Sequence, residues 1–474
     1  MLSRSAGSPA MVLITVCIVQ FMAPFMLTAV GVALPSLGRD VGASAVQLGL
    51  VEQLYILSVA MTMLTFGRLG DIVGQRKVFL PGLMVFTVLT LSLGFTRSVE
   101  MIMIQRFFQG IGASMMLAGS LALVAAAYPA EVRGMKIGIV SACTYTGLSA
   151  GPVLGGYVTT HFGWRSVFLM SAPLGLSAIT MCIAGMGGVK RNASGERMDW
   201  SGALVYGVSV GLFMLGAAHA KETPVGPSMI GVGIVGIALF LFLENRSKSP
   251  LLEVSLLTGN RFFTMSCLAA MGNYAATFGV TFLMSLFLQY AKGLSSREAG
   301  LVLLCQPLMQ VITSPIAGKL TDRFEPSRLA TFGMLTTFVG LLLAAMTVGL
   351  RTPLWLLGGE LILIGAGFGI FITPNSAAIM GSVDPRRFGV ASGMVGAMRT
   401  LGMAVSMTTV ALIFSLIMGD VAIKSSSLPQ FLDCMRLGLT AFAVFSCLGI
   451  GLSVGRGKRP SGVVEREPTA LLRS

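Results

Sequence analysis

The chain has 474 residues, of which 54% are hydrophobic and 11% charged, and 33 Lys and Arg against 19 Asp and Glu give it a formal net charge of +14. Globular domains carry roughly 25% charged residues, so the polar material is too scarce to cover a water-soluble surface of this length, and the mean hydropathy of +0.84 agrees. The basic residues fall between apolar runs without interleaved aromatics, which points to orientation in a bilayer and not to nucleic acid.

A membrane span needs about 20 mostly apolar residues. In chain order such spans are predicted at 11–35, 47–67, 78–96, 101–127, 136–160, 166–187, 200–219, 228–243, 264–290, 297–317, 328–349, 354–380, 389–418 and 434–455. The eighth is the shortest. All are continuously apolar, which fits helices and excludes the alternation of a β-barrel. The first is long, with no small-residue cleavage site ahead of a soluble domain, and is expected to be retained. With the N-terminus inside and Arg106 and Arg399 left within spans, 22 of the 33 basic residues fall on one side and nine on the other. Both termini are therefore expected in the cytoplasm of a multi-pass cell-membrane protein, with a prokaryotic cytoplasmic membrane as its setting.

Cys17, Cys143, Cys182, Cys267, Cys305, Cys434 and Cys447 lie mostly in apolar runs without C-x-x-C spacing, and the two histidines, His161 and His219, lie near span ends. Neither disulfides nor a metal site is expected. No nucleophile–base pair, metal cluster or phosphate loop appears, so an enzyme and a bound cofactor are not expected either.

Between the second and third spans stands a loop with Gly67, Gly70, Asp71, Gly74, Arg76 and Lys77, and a partial copy with Gly318, Asp322 and Arg323 follows the tenth. The repeat divides the chain into halves at 1–187 and 261–474, each of six spans, with two extra spans in 188–260. In such repeats the substrate site lies between halves near the membrane midplane. In the fourth span Arg106 and Gln109 share a face, followed by Gly110, Gly112 and Ala113. The fifth carries Gly147, Gly151, Pro152, Gly155 and Gly156, whose spacing makes a groove for another helix and whose proline bends the span. Trp164, Arg165 and Phe168, with Pro173, open the sixth, and Gly365, Gly367, Gly369 and Pro374, then Gly389, Gly393, Arg399 and Gly402, mark the last third.

Together these segments resemble the major facilitator superfamily, specifically its 14-span drug:proton antiporter branch, over nearly the whole chain. The resemblance implies an all-α polytopic fold of about 14 transmembrane helices, two six-helix bundles and an inserted pair. It implies a secondary transporter working by alternating access, driven by a proton gradient, exporting amphipathic small molecules as a monomer in the lipid bilayer. The loop at 67–77 would latch one state, and the glycines from Gly147 to Gly156 would form a hinge. A basic topogenic turn without a gating role is the lesser reading of the loop. A transporter of a lipid, peptide or metabolite without proton coupling, and a membrane sensor that does not transport, are the alternatives.

One departure stands out. Where the branch has an acid in the first span, this chain has Met26, and Gly31 replaces an asparagine. Without that acid, neutral or anionic cargo is expected over cations. The acids clearly inside spans are Glu52 and Glu360, each about five or six residues, ~8–9 Å, from the outer end. Arg106 is at a depth similar to Glu52. The cavity candidates are thus Glu52, Tyr55, Arg106, Gln109, Glu360 and Arg399. Burial and a nearby arginine act on a carboxylate in opposite directions, so proton uptake near neutral pH is open to Glu52. A structural hydrogen bond at the span end is the other reading of Glu52, as outward snorkelling is of Arg106.

Overall fold

The structure, a computed structural model, describes residues 8–128, 130–186, 197–219, 224–247, 250–252, 254–321, 323–383, 388–419, 423 and 427–457. Its helices are α1 (Pro9–Val41), α2 (Ala45–Val73), α3 (Gln75–Leu93), α4 (Val99–Ala127), α5 (Ala130–Phe162), α6 (Arg165–Gly185), α7 (Trp200–Ala218), α8 (Val225–Glu244), α9 (Val254–Gly259), α10 (Arg261–Leu286), α11 (Ser296–Leu303), α12 (Cys305–Leu320), α13 (Pro326–Thr347), α14 (Leu354–Met380), α15 (Phe388–Ile417) and α16 (Leu428–Val454). No strand occurs among the described residues. Thirteen described segments are long and apolar enough to cross a membrane, and α5, at 33 residues, is a fourteenth by length. Each predicted span lies on one of these segments, to within a few residues at its ends. Helices suit lipid because they satisfy every backbone group internally.

Local sequence sets where several helices begin. Ser44 and Gln47 form a capping box at the start of α2, as Ser295 and Glu298 do for α11. Asn260 caps α10 through the Phe263 amide while its own amide donates to the Ser382 carbonyl. Asp199 caps α7: the Gly202 amide, with the Ser201 and Ser247 hydroxyls, holds its carboxyl below the ordinary value.

Three local features depart from the predicted spans. The ninth ends in a π-turn at Phe287–Ala291. The tenth is broken at Leu304 into α11 and α12, because Pro307 has no amide to donate and its ring crowds the carbonyl four residues back, at Leu303. The short helix α9 precedes α10.

The helices pack in two groups. In the first, α1 lies on α4, α5 and α6, α2 on α4, and α3 on α4 and α6; in the second, α10 lies on α14, α15 and α16, α13 on α14 and α16, and α12 on α14. The pair α7–α8 packs mainly on itself, and α7 also touches α2 and α15. Gln53 of α2 donates to the Met214 carbonyl of α7 at 2.9 Å. Tracing the spans back and forth places the loops after α2, α4, α6, α8, α12, α14 and α16 on one face, here called the basic face.

Most bonds between the groups lie towards the opposite face. Ser285 donates to the Gly31 carbonyl at 2.9 Å, Gln289 to Val32 at 3.0 Å, Tyr290 to Pro35 at 3.4 Å, and the Arg297 amide to the Thr160 hydroxyl at 3.0 Å. Nearer the basic face, α2 meets α15 where the Thr400 hydroxyl donates to the Met63 sulfur at 3.1 Å. The two groups are thus bonded directly to each other towards the face opposite the basic loops.

Candidate functional site

The seam between α2 and α4 is unusually close because Gly110 faces α2. A Cβ there would collide with the Tyr55 carbonyl and the Ser58 hydroxyl. One turn earlier on α4, Arg106 is fully buried. Its Nε donates to the Val51 carbonyl at 3.3 Å, its Nη1 to Gln109 Oε1 at 2.7 Å, and its guanidinium stands over the Tyr55 ring at 4.3 Å. Gln109 in turn donates to the Thr90 hydroxyl of α3 at 2.6 Å. Gly112 permits the matching approach to α3, since a Cβ would meet the Phe86 amide. The glycines and the polar residues of this motif thus act together: the former set the helix spacing at which the latter reach their partners. Outward snorkelling of Arg106 is not what the structure shows.

Glu52 lies next to the carbonyl that Arg106 grips. It is 3% exposed, and its Oε2 has no hydrogen-bond partner. It is close enough to Arg106 to feel its charge, although no ion pair within 4 Å joins them. The free oxygen lies beside Gly31, where an added Cβ would make ordinary van der Waals contact with it at 3.9 Å. The two departures in the first span therefore fit one arrangement. Met26 is fully buried, and the absent side chain at Gly31 leaves room for a carboxylate supplied from α2.

Glu52 opens onto a cavity between the two helix groups. From α1, α2 and α5 its wall includes Leu27, Thr28, Gly31, Glu52, Leu148 and Pro152. From α10 come Tyr274, Thr277, Phe278, Thr281 and Phe282; α11, α12, α14 and α15 add Leu303, Gln306, Pro307, Gln310, Phe368 and Met403. Gln306 and Pro307 come from the stretch just past the break in the tenth span, so the break shapes the wall.

The other predicted residues are distributed elsewhere. Glu360 is buried between α13 and α14, where it accepts from the Thr347 hydroxyl at 2.5 Å, and it is absent from the cavity wall. The same residue type at the same depth has a different neighbour. Arg399 of α15 lies beside Tyr274, so it stands behind the opposite wall from Arg106. Asp71 accepts from Gln75 at 3.0 Å at the start of α3, Gly74 turns the chain with φ 105°, and Gly67 passes Ala118 of α4. Arg76 donates to the Cys182 and Ile183 carbonyls at 3.2 and 3.3 Å, near the end of α6, where cations suit the helix dipole. Lys77 is exposed. In the partial copy, Gly318 packs on Thr373, Arg323 is exposed, and Asp322 lies outside the described residues.

The glycines of α5 serve two surfaces. Gly147, Gly151 and Gly155 face α1 at Phe21, Thr28 and Ala29, while Gly156 faces Ser296 of α11 and the Pro152 carbonyl faces Gly300. Beside them, Trp164 and Arg165 clamp Asp40 at the end of α1, at 3.0 and 2.6 Å. The residues that sequence reasoning missed are Tyr274, Phe278, Phe282, Phe368, Gln306 and Gln310. A polar Gln306 beside Pro307 inside an apolar run was the one signal available for them.

The chain is similar to known transporters along most of its length. A family model described as Major Facilitator Superfamily matches residues 16–407. The riboflavin transporter RibZ of Clostridioides difficile is 31% identical over 399 residues, 83% of this chain and 85% of that one. The multidrug resistance protein Stp of Mycobacterium tuberculosis (strain CDC 1551 / Oshkosh) is 30% identical over 380 residues, 79% of this chain and 70% of that one. A crystal structure of a bacterial homolog of the human lysosomal transporter Spinster, inward-facing and unoccupied, shares the fold with a TM-score of 0.67 at 15% identity, covering 94% of this chain and 96% of that one. With the family model matching most of its length and two helix groups meeting around a central cavity, this chain belongs to the major facilitator superfamily.

Proposed function

We propose that the protein is a proton-coupled exporter of amphipathic small molecules, with the basic face and both termini in the cytoplasm and with Glu52 as the carboxylate that takes up and releases the proton. The observation that carries the reading is the unpartnered Oε2 of Glu52 on the wall of the cavity between the helix groups. A buried carboxylate without a partner is costly when charged, and protonation or a donor from cargo relieves that cost. The neighbouring Arg106 offsets part of it, so neither state of Glu52 is out of reach. The relative named as a multidrug resistance protein supports export. Because Glu52 supplies the acid that the first span lacks, cationic cargo joins the neutral cargo expected from Met26, and anionic cargo suits the cavity less.

Alternating access is the cycle that the packing supports. The bonds towards the face opposite the basic loops tie α1 to α10 and its terminal π-turn and α5 to the start of α11, and separating the groups at that face requires these bonds to part. The loop at 67–77, with Arg76 on the end of α6, then serves as the latch of the basic face. The protein is expected to work as a monomer, since each half contributes one wall of a single cavity.

A second reading has one observation in its favour. The relative named as a riboflavin transporter leaves open a metabolite carrier without proton coupling. Flux into or out of proteoliposomes, measured with and without an imposed pH gradient for the wild type, Glu52→Gln and Arg106→Ala, separates the two. Gradient-dependent flux lost in Glu52→Gln supports coupled export. Flux indifferent to the gradient in the wild type supports the second reading.

A further inference from the structure

Resting on the reading of this cavity as the cargo site, we infer that the cargo is a flat aromatic compound with separate hydrogen-bonding groups on its edges, a donor met by Glu52 and another met by the Gln306 amide. The two walls differ in chemistry. The wall from α1, α2 and α5 is aliphatic or small apart from Glu52, whereas the aromatic side chains Tyr274, Phe278, Phe282 and Phe368 all stand on the other side. Tyr274 and Phe368 form a preassembled edge-to-face pair, with centroids 5.2 Å apart and an interplanar angle of 80°. A flat ring system stacks or packs edge-on against such a surface.

The polar features are equally specific. Glu52 and Gln306 both line the cavity, are 3% and 4% exposed, and each holds a buried side-chain oxygen, Glu52 Oε2 and Gln306 Oε1, without a hydrogen-bond partner. Burying an acceptor without a donor is costly. A ligand that donates to both removes that cost at two points, one on each helix group. It therefore bridges the groups, and its binding favours the arrangement in which they hold it from both sides. A compound of the same outline without donors leaves both acceptors unsatisfied, and sites built to bond a donor reject such analogues strongly.

Proflavine and acridine orange test this directly. Both present a flat, singly charged acridine body at neutral pH, but acridine orange is methylated on both exocyclic amines and has lost their N–H donors. Fluorescence titration of each dye onto full-length protein in detergent should give proflavine an affinity higher by roughly tenfold or more. Gln306→Ala and Glu52→Ala should each shrink that preference, and the double variant should remove it. Gln306→Leu, close in size, replaces Gln306→Ala if the latter does not fold. Equal affinities in the wild type, a preference that survives both substitutions, or no binding of either dye overturns the inference. Dyes of equal affinity that a pH gradient nevertheless drives across the membrane would leave proton-coupled export standing and this inference lost.

Discussion

Gly110→Ala probes whether the spacing of α2 and α4 is what holds Arg106 in place. The added methyl would stand 3.1 Å from the Tyr55 carbonyl carbon and closer still to its oxygen and to the Ser58 hydroxyl. Ordinary contacts between such atoms are ~3.5–4 Å, so α4 has to withdraw by about 1 Å. The Arg106 Nε to Val51 contact, already 3.3 Å, then passes beyond hydrogen-bond range. Overpacking of this kind costs about 1–3 kcal/mol, and a buried guanidinium deprived of its carbonyl adds to it. The expected outcome is a lower thermal midpoint in detergent together with weakened gradient-driven flux. Gly49→Ala is the control, since a Cβ there meets nothing within 4 Å. If Gly110→Ala matched Gly49→Ala in both stability and flux, the proposed link between helix spacing and the arginine would be wrong.

Other substitutions test separate parts of the account. Gly31→Asn puts a polar side chain against Glu52 and should shift the pH at which flux is half-maximal, and an unchanged profile would show that Gly31 does not shape the environment of the carboxylate. Glu360→Gln should leave gradient-driven flux intact, because its carboxylate serves Thr347 at the α13–α14 contact; loss of coupling at normal stability would return Glu360 to the transport pathway. Asp199→Ala should destabilise by about 1 kcal/mol at neutral pH through loss of the α7 cap. Because the native carboxyl of Asp199 is held low, its contribution is complete above the ordinary value of 3.8 and is lost as pH falls through the lowered native value. Thermal melts of wild type and variant should accordingly converge in acid, and a gap that widens there would contradict the sign.

The helices were legible in the sequence because lipid demands long apolar runs, and each predicted span falls on a helix of membrane length. Arg106 with Gln109 was legible for the opposite reason, since polar residues in such runs need partners. Glu52 and Glu360 could not be separated on sequence, because both are single acids at one depth and only packing gives one a cavity and the other a threonine. The meaning of Gly31 was hidden as well. It stands out as a departure in the first span, but its complement is 21 positions away on another helix. The aromatic wall is assembled from α10 and α14, whose rings look like ordinary apolar filling until the helices are brought together. The break at Leu304 had a local cause in Pro307, which averaging hydropathy over a whole span conceals.

The central claim is that Glu52 carries the proton on the wall of the cargo cavity. It is tested most directly by loading proteoliposomes with proflavine and imposing a pH gradient across wild-type and Glu52→Gln protein of equal thermal stability. The account predicts that the gradient accelerates dye movement in the wild type and has no effect in Glu52→Gln, while movement down a dye gradient persists. A Glu52→Gln protein that still responds to the pH gradient like the wild type would contradict it.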